Sequence, residues 1–342
     1  MANTGQHKKL RDIYSLPDLI KQIRALVKKS RESIAQNINK EILQTYWQIG
    51  KHIVEFEQKG NVKAAYGKQL LINLSKELSL ELGKGFSRSN LTYMRLFYFH
   101  YQKSETLSHQ LTWSHYFELL KIDNDLERQF YQQQTIKENW SVRELKRHKT
   151  SALFQRLALS KDKKSILALA KKGQIIESDI DIVKDPYVLE FLNIPEKYRY
   201  SEKELEQKII DNLQEFLLEL GKGFAFIGRQ YRVTLNNKHY RIDLVFYHRI
   251  LKCFIIIDLK INDVEHNDIG QMNMYLGYFE TEMNVAGDNQ PIGIILTTEK
   301  DAVMVEYAMH GISNKIFVSK YQLYLPDKKM LQRKVQEILD KE

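Results

Sequence analysis

Residues 251–263 read LKCFIIIDLKIND, and the architecture of the C-terminal half turns on how this run is placed. Three consecutive isoleucines behind Cys253 and Phe254 mark a strand covered on both faces. Such a strand should not end on charge, yet Asp258 and Lys260 stand two residues apart and so point to the same side. Two charges on one buried face are tolerable only when they meet each other, a metal or a ligand.

The preceding run, YRIDLVFYH at 240–248, alternates Ile242, Leu244 and Phe246 with Arg241, Asp243 and Tyr247, which places Asp243 mid-strand among apolar neighbours. Adjacent strands can bring Asp243 and Asp258 within reach of one divalent cation through oxygen ligands. Lys260 could then position a water or offset charge on a phosphate. Two carboxylates and a lysine around Mg2+ (or Mn2+) are what phosphodiester hydrolysis needs. The plainer alternative is an ion pair between Asp258 and Lys260 at a strand end.

Working outward, a helix is expected over 201–220 (SEKELEQKIIDNLQEFLLEL), then strands at 224–236, 239–247 and 252–260, with NNK as a hairpin turn. A helix over 266–282 follows, then a strand at 291–298, a helix near 301–310, the strand KIFVSK and a closing helix from 327. The order α-β-β-β-α-β describes a mixed sheet with helices on its faces. Residues 161–200 hold two of the five prolines and read as a linker after a helix in LSKDKKSILALAKKGQ. The heptapeptide LELGKGF occurs at 80–86 and 218–224; its unlike surroundings make the repeat a coincidence of two glycine-stopped helices.

The N-terminal part reads differently. Apolar residues keep three- and four-residue spacing from Leu19 through Ile53, as a chain of helices requires. A helix over about 65–82 is stopped by Gly83 and Gly85. Ser87 or Ser89 can cap the next helix, which opens with Arg88, Asn90, Tyr93 and Arg95. This is the layout of a helix-turn-helix whose second helix reads DNA; packing through Leu91, Met94, Leu96 and Phe97 is the alternative. A further helix capped by Ser141 ends on Arg143, Lys146, Arg147, His148 and Lys149, which suits phosphate contacts or a solvated helix end equally.

Composition bounds the rest. The 342 residues suffice for two domains, and the 43% apolar content supports packed cores. No apolar run approaches the roughly 18 residues of a membrane span, and the N-terminus has no secretory pattern, so a cytoplasmic setting is expected. The single cysteine, Cys253, excludes an internal disulfide and a CxxC zinc site, and its strand position predicts a packed thiol. No GxxxxGK[ST] loop is present, so no nucleotide cofactor is expected. The net charge of +9 divides into +13 over residues 1–170 and −4 over 171–342. A basic half points to a polyanion, usually nucleic acid.

Asp243, then Asp258-Leu259-Lys260, in this order of strands resembles the PD-(D/E)xK nucleases. The resemblance implies a restriction-endonuclease-like αβββαβ core and a metal-dependent deoxyribonuclease. It adds Glu206 as a metal-assisting glutamate on the helix before the first strand, with Asp243 and Asp258 as the other ligands. It adds Gln271 as a catalytic residue and Tyr275 as its support, in GQMNMYL after the third strand. It also sets Arg241 near the phosphate path. The whole chain, including YWQIGKHI and GFSRSNLTYMRLFY, resembles the bacterial YhcG family, whose N-terminal region is regarded as DNA-binding. The sequence departs from the strict pattern: the third-strand acid is Asp where many relatives have Glu, and Ile242-Asp243 replaces Pro-Asp. The expectation is thus an all-helical DNA-binding domain (1–160), a linker (161–200) and a nuclease-like domain (201–342), with DNA as partner and a homo-oligomer for cutting both strands. Recombination, repair and defence against foreign DNA all remain open as its setting. The competing reading is a DNA-binding protein whose silent nuclease fold serves as a dimerisation or scaffold module.

Overall fold

The computed structural model describes residues 16–340 apart from 60–63, 103–106, 160, 196–198, 300–304 and 307–314. The helix expected near 301–310 lies mostly outside the described residues. The chain divides into two compact units, Met1–Asp123 and Asn124–Glu342.

The first unit is helical: α1 (Leu16–Lys59), α2 (Ala64–Leu82), α3 (Arg88–His100) and α4 (Trp113–Leu119). Its core gathers Ile53, Leu71, Leu91 and Met94, with Phe86 and Trp113 packed against them. Among the described residues, the apolar spacing of α1 therefore reaches this core through its second half. Leu19, Ile23 and Leu26 near its start remain exposed. Ser87 caps α3 as expected, accepting from the Asn90 N–H.

Gly50 of α1 lies against α3 so closely that an added Cβ would stand 2.0 Å from the Met94 carbonyl oxygen. Backbone cannot yield there as a flexible side chain would. Gly50→Ala is expected to cost about 3 kcal/mol, at the upper end of overpacking penalties, read as a fall in the melting temperature of the helical unit.

The second unit contains α5 (Asp125–Glu138), α6 (Val142–Thr150), α7 (Leu153–Ala158), α8 (Lys163–Lys172), α9 (Glu202–Asp211), α10 (Leu213–Leu220), α11 (His266–Tyr278) and α12 (Lys328–Asp340). Its strands are β1 (Tyr187–Val188), β2 (Phe224–Leu235), β3 (Lys238–His248), β4 (Cys253–Leu259), β5 (Ile292–Thr297) and β6 (Ile316–Gln322). They form one six-stranded sheet in the order β1-β6-β5-β4-β3-β2. The β2–β3–β4 part is antiparallel, and β4, β5, β6 and β1 run parallel. The mixed sheet with helices on its faces is the expected architecture.

One face of the sheet packs Leu205, Ile209, Phe216 and Leu220 of α9 and α10 against Leu244, Ile255, Ile257 and Ile294. The other packs Ile269, Met272, Tyr275 and Leu276 of α11 against Val245, Ile256 and Ile295. This two-sided cover is why β4 and β5 read as unbroken isoleucine-rich runs. Cys253 is buried, and burial pushes its thiol up to about 12, as a packed rather than nucleophilic cysteine requires.

Two expectations need correction. The helix over 201–220 is broken at Asn212, whose backbone leaves the helical region (φ −121) while its side chain donates to the Lys208 carbonyl. The stretch 161–200 is also more than a linker. It carries the expected helix, as α8, and also the edge strand β1, which pairs with β6. A buried ionic centre holds this region to the sheet: Arg156 of α7 reaches Glu219 of α10 at 2.7 Å, both side chains being wholly buried, and the Val188 N–H donates to the same carboxylate. Lys184 donates to the Glu219 carbonyl. Such a centre joins residues far apart in sequence, so no local pattern announces it.

Candidate active site

The carboxylates meet where the antiparallel and parallel parts of the sheet join. Leu244 of β3 opposes Ile257 of β4 in the last pair of their ladder, and Asp243 and Asp258 are the next residue on each strand. The Leu259 N–H donates to Asp243 Oδ2 at 2.9 Å, which fixes the Asp243 carboxylate on the end of β4. Asp258 is 6% exposed.

A break in strand alternation aims Asp243. Leu244 and Phe246 face the α9–α10 core, whereas Ile242 packs with the α11 core. The register of the facing strand β2 also shifts between Phe226 and Gly228, and Gln230 adopts a left-handed backbone (φ 45). Irregularities of this kind re-aim side chains beside functional sites. Here Gln230 turns its amide between two carboxylates, donating to Glu206 Oε2 at 2.6 Å and Asp243 Oδ1 at 3.1 Å. Glu206 is thereby brought to the site from α9.

Lys260 is clamped between Asp258 Oδ2 at 3.0 Å and Asp268 Oδ1 at 3.2 Å. Asp268 also accepts from the Glu265 N–H in the capping box that starts α11, so the helix start and the lysine are held by one carboxylate. Gln271 donates to the Tyr275 hydroxyl at 2.5 Å, and that hydroxyl donates to the Arg241 carbonyl at 3.1 Å. Tyr275 is buried and ties α11 to β3 two residues before Asp243. Gln271 thus stands in this line of contacts, while the Arg241 side chain is exposed.

The electrostatics follow from burial and like charge. Burial first, and then the Asp258 charge, push the Asp243 carboxyl up to about 7. Burial raises Asp258 as well, against the pull of Lys260. Burial alone would lower Lys260, but Asp258 and Asp268 outweigh it and hold the amine above its ordinary range. Lys260 is therefore a fixed positive charge.

A pH dependence follows. An acid whose folded pKa lies above its unfolded value keeps its proton longer in the fold, so it contributes stability at low pH that is lost on deprotonation. The metal-free protein is expected to lose stability as pH rises from about 4 to about 7. Added Mg2+ should flatten that fall. Melting curves across this range, with EDTA or with Mg2+, check both statements.

Among the described residues, no three His, Cys, Asp or Glu side chains already form a metal-binding group. The donor chemistry nevertheless fits a hard divalent cation: two carboxylates lie together, burial raises both, and Lys260 only partly offsets it. Asp243 and Asp258 would hold the ion, with Glu206 joined to them through Gln230.

The expected DNA-contacting residues are placed less uniformly. In the first unit Arg88 is exposed in the opening turn of α3. Asn90 accepts from Trp113 Nε1 at 2.9 Å and donates to the Gly85 carbonyl. Tyr93 lies 4.1 Å from the Phe117 ring, and Arg95 pairs with Glu57 at 3.0 Å. Three of these four side chains thus bind their own unit together. In the second unit Arg143 is 89% exposed and 3.5 Å from Glu215. Arg147 turns inward to Glu219 and Glu190, while Lys146 stays exposed.

Gln230 and Asp268 escaped the sequence reading. A signal for Gln230 existed: Asn236 and Asn237 form the two-residue turn between β2 and β3, and Gln230 and Asp243 are equidistant from it. Asp268 also caps the start of α11, a role that does not by itself point to Lys260.

Comparison with known proteins agrees with this arrangement. The YhcG PDDEXK nuclease domain matches residues 180–336, and the DUF1016 N-terminal domain matches residues 22–156. The Escherichia coli (strain K12) protein named "Putative nuclease YhcG" is 38% identical over 338 residues, covering 90% of each chain. Among solved structures, a repair endonuclease from Pyrococcus abyssi is 17% identical and covers 39% of this chain and 50% of its own, with a TM-score of 0.26. The EndoMS–dsDNA2 complex is 14% identical with the same coverage and TM-score. Likenesses this partial add nothing to the functional argument. By the identity shared along both chains, this protein belongs to the YhcG family, and its C-terminal part is that family's PDDEXK nuclease domain.

Proposed function

We propose that this chain is a divalent-metal-dependent DNA endonuclease that hydrolyses phosphodiester bonds at the Asp243–Asp258–Lys260 site. The single observation that carries the reading is the meeting of a half-buried carboxylate within β3, Asp243, and a buried one at the end of β4, Asp258, with a clamped lysine beside them. A silent scaffold has no use for a carboxyl driven up to about 7 by burial and then by its neighbour's charge. A ligand of opposite charge gives that cost a purpose.

Asp243 and Asp258 would hold the ion, Mg2+ or Mn2+, whose chemistry when bound would be to polarise the phosphate and acidify a water. Lys260, fixed by Asp258 and Asp268, offsets negative charge on the phosphate and orients the attacking water. Glu206 and Gln230 keep the Asp243 carboxylate aligned. Gln271 and Tyr275 hold the adjoining stretch of β3 in place. Arg88 and Lys146 are exposed cations that would meet the DNA backbone. A homo-oligomer supplies a second site for the second strand, and the exposed apolar residues early in α1 offer a face for it.

The test is nicking of supercoiled plasmid and of branched DNA with Mg2+ or Mn2+ and with EDTA. Metal-dependent nicking that disappears in EDTA is the expected result. DNA binding without nicking under every metal would overturn the reading in favour of a binding module.

A further inference from the structure

The hairpin beside the site carries a charge pattern that the catalytic arrangement does not use. β4 pairs with β3 only over Leu244–His248. Among the described residues, Tyr231–Leu235 and Lys238–Ile242 pair only with each other, so they form a two-stranded ribbon running past the ladder of the main sheet. One face of the ribbon is apolar: Tyr231, Val233, Leu235, Tyr240 and Ile242 pack in the α11 core. The other face presents Arg232, Thr234, His239 and Arg241 to solvent, with Lys238 at the turn.

From Gly228 to Ile242 there is no Asp or Glu, although residues 171–342 as a whole are net acidic. Arg232 stands directly opposite Arg241 in the ladder. Like charges in that position destabilise a hairpin, and no carboxylate within the ribbon relieves them. An arrangement that is unfavourable in the free protein and exposed beside a phosphodiesterase site becomes favourable once an anion lies across it. Arg241 precedes Asp243 by two residues, about 7 Å along a strand, a distance of one to two nucleotides. A two-stranded ribbon also has the dimensions of a major-groove reader.

We propose that the β2–β3 ribbon grips the DNA backbone next to the scissile position, with Arg232, Lys238, His239 and Arg241 contacting phosphates. The inference rests on the endonuclease reading and adds the surface that positions the duplex on the site. Its apolar face, locked onto α11, keeps the grip in register with Tyr275 and Asp243. The ribbon selects for backbone charge and not for sequence.

The experiment measures binding of a fluorescent 30-base-pair duplex across a salt series, with Ca2+ replacing Mg2+, alongside plasmid nicking with Mg2+. Arg232→Glu, Lys238→Glu and the milder Arg232→Gln are compared with the wild type and with Lys334→Glu on α12, and melting curves verify folding. Each lost phosphate contact should reduce the salt slope by about 1. KM for nicking should rise several-fold in the ribbon variants, with kcat little changed and Lys334→Glu behaving as wild type. Unchanged slopes and KM in folded ribbon variants, with the wild type still nicking DNA, overturn the ribbon while leaving the endonuclease intact. Loss of affinity for an RNA duplex alone also overturns it. A wild type that neither binds nor nicks DNA removes the endonuclease reading and the ribbon together.

Discussion

Asp258→Ala is expected to reduce metal-dependent nicking by at least about a thousandfold while leaving the fold intact, since ligation and charge stabilisation at such a centre supply several kcal/mol. Asp258 stands beside Asp243 just past the last pair of the β3–β4 ladder and also anchors Lys260, so its removal takes away a proposed ligand and frees the lysine from one of its two partners. DNA affinity should hold or rise, because a negative charge has left the phosphate path. Lys260→Met separates the two roles. It should cost about a hundredfold or more in kcat, the scale of losing one preorganised charge, yet leave divalent-cation binding in place. Calorimetric titration of Mn2+ distinguishes the variants: weakened in Asp258→Ala, retained in Lys260→Met. Nicking that persists in purified Asp258→Ala would move the chemistry elsewhere.

The largest stability effect lies at Glu219. Burial raises its carboxyl, but Arg156, Lys184 and Arg147 outweigh burial and hold it at about 2. Burial likewise pulls Lys184 down to about 8 against the attraction of Glu219. Arg156 also donates to the Ser151 and Pro186 carbonyls at 2.9 and 2.8 Å, which leaves it no route to solvent. Glu219→Ala therefore strands buried positive charge and is expected to cost about 3–5 kcal/mol. That corresponds to a fall in melting temperature of roughly 10 °C for a unit of this size. An acid with a depressed folded pKa contributes stability above its unfolded pKa and loses it as pH falls through the folded value. Wild type should thus shed this contribution between about pH 4.5 and 2, and Glu219→Ala should lack that part of the acid transition. Melting curves at pH 7 and an acid titration of both proteins check the pair of statements. A wild-type-like melting temperature at pH 7 would show the centre to be dispensable.

Much of this protein was determined by its sequence alone. The isoleucine run at 255–257 demands cover on both faces, so β4 had to be central. Alternation in 240–248 and the asparagine pair at 236–237 set a hairpin, and together these put Asp243 within β3 beside Asp258 and Lys260 at the end of β4. Ser87 and Ser141 marked helix starts because a hydroxyl before a polar turn satisfies free N–H groups wherever it occurs. These are local rules, and they need no knowledge of distant partners.

The tertiary structure decided what depends on distant partners. Gln230 became a bridge between Glu206 and Asp243 only because β2 bulges and its backbone turns left-handed there. Arg147 reads as a phosphate contact in a basic helix end, yet it turns inward because Glu219 and Glu190, from other parts of the chain, lie beneath it. Asn90 and Arg95 read as base contacts, yet Trp113 and Glu57 claim them. A charged side chain takes whichever partner the fold brings within about 4 Å, and that choice is invisible until strands and helices are assembled.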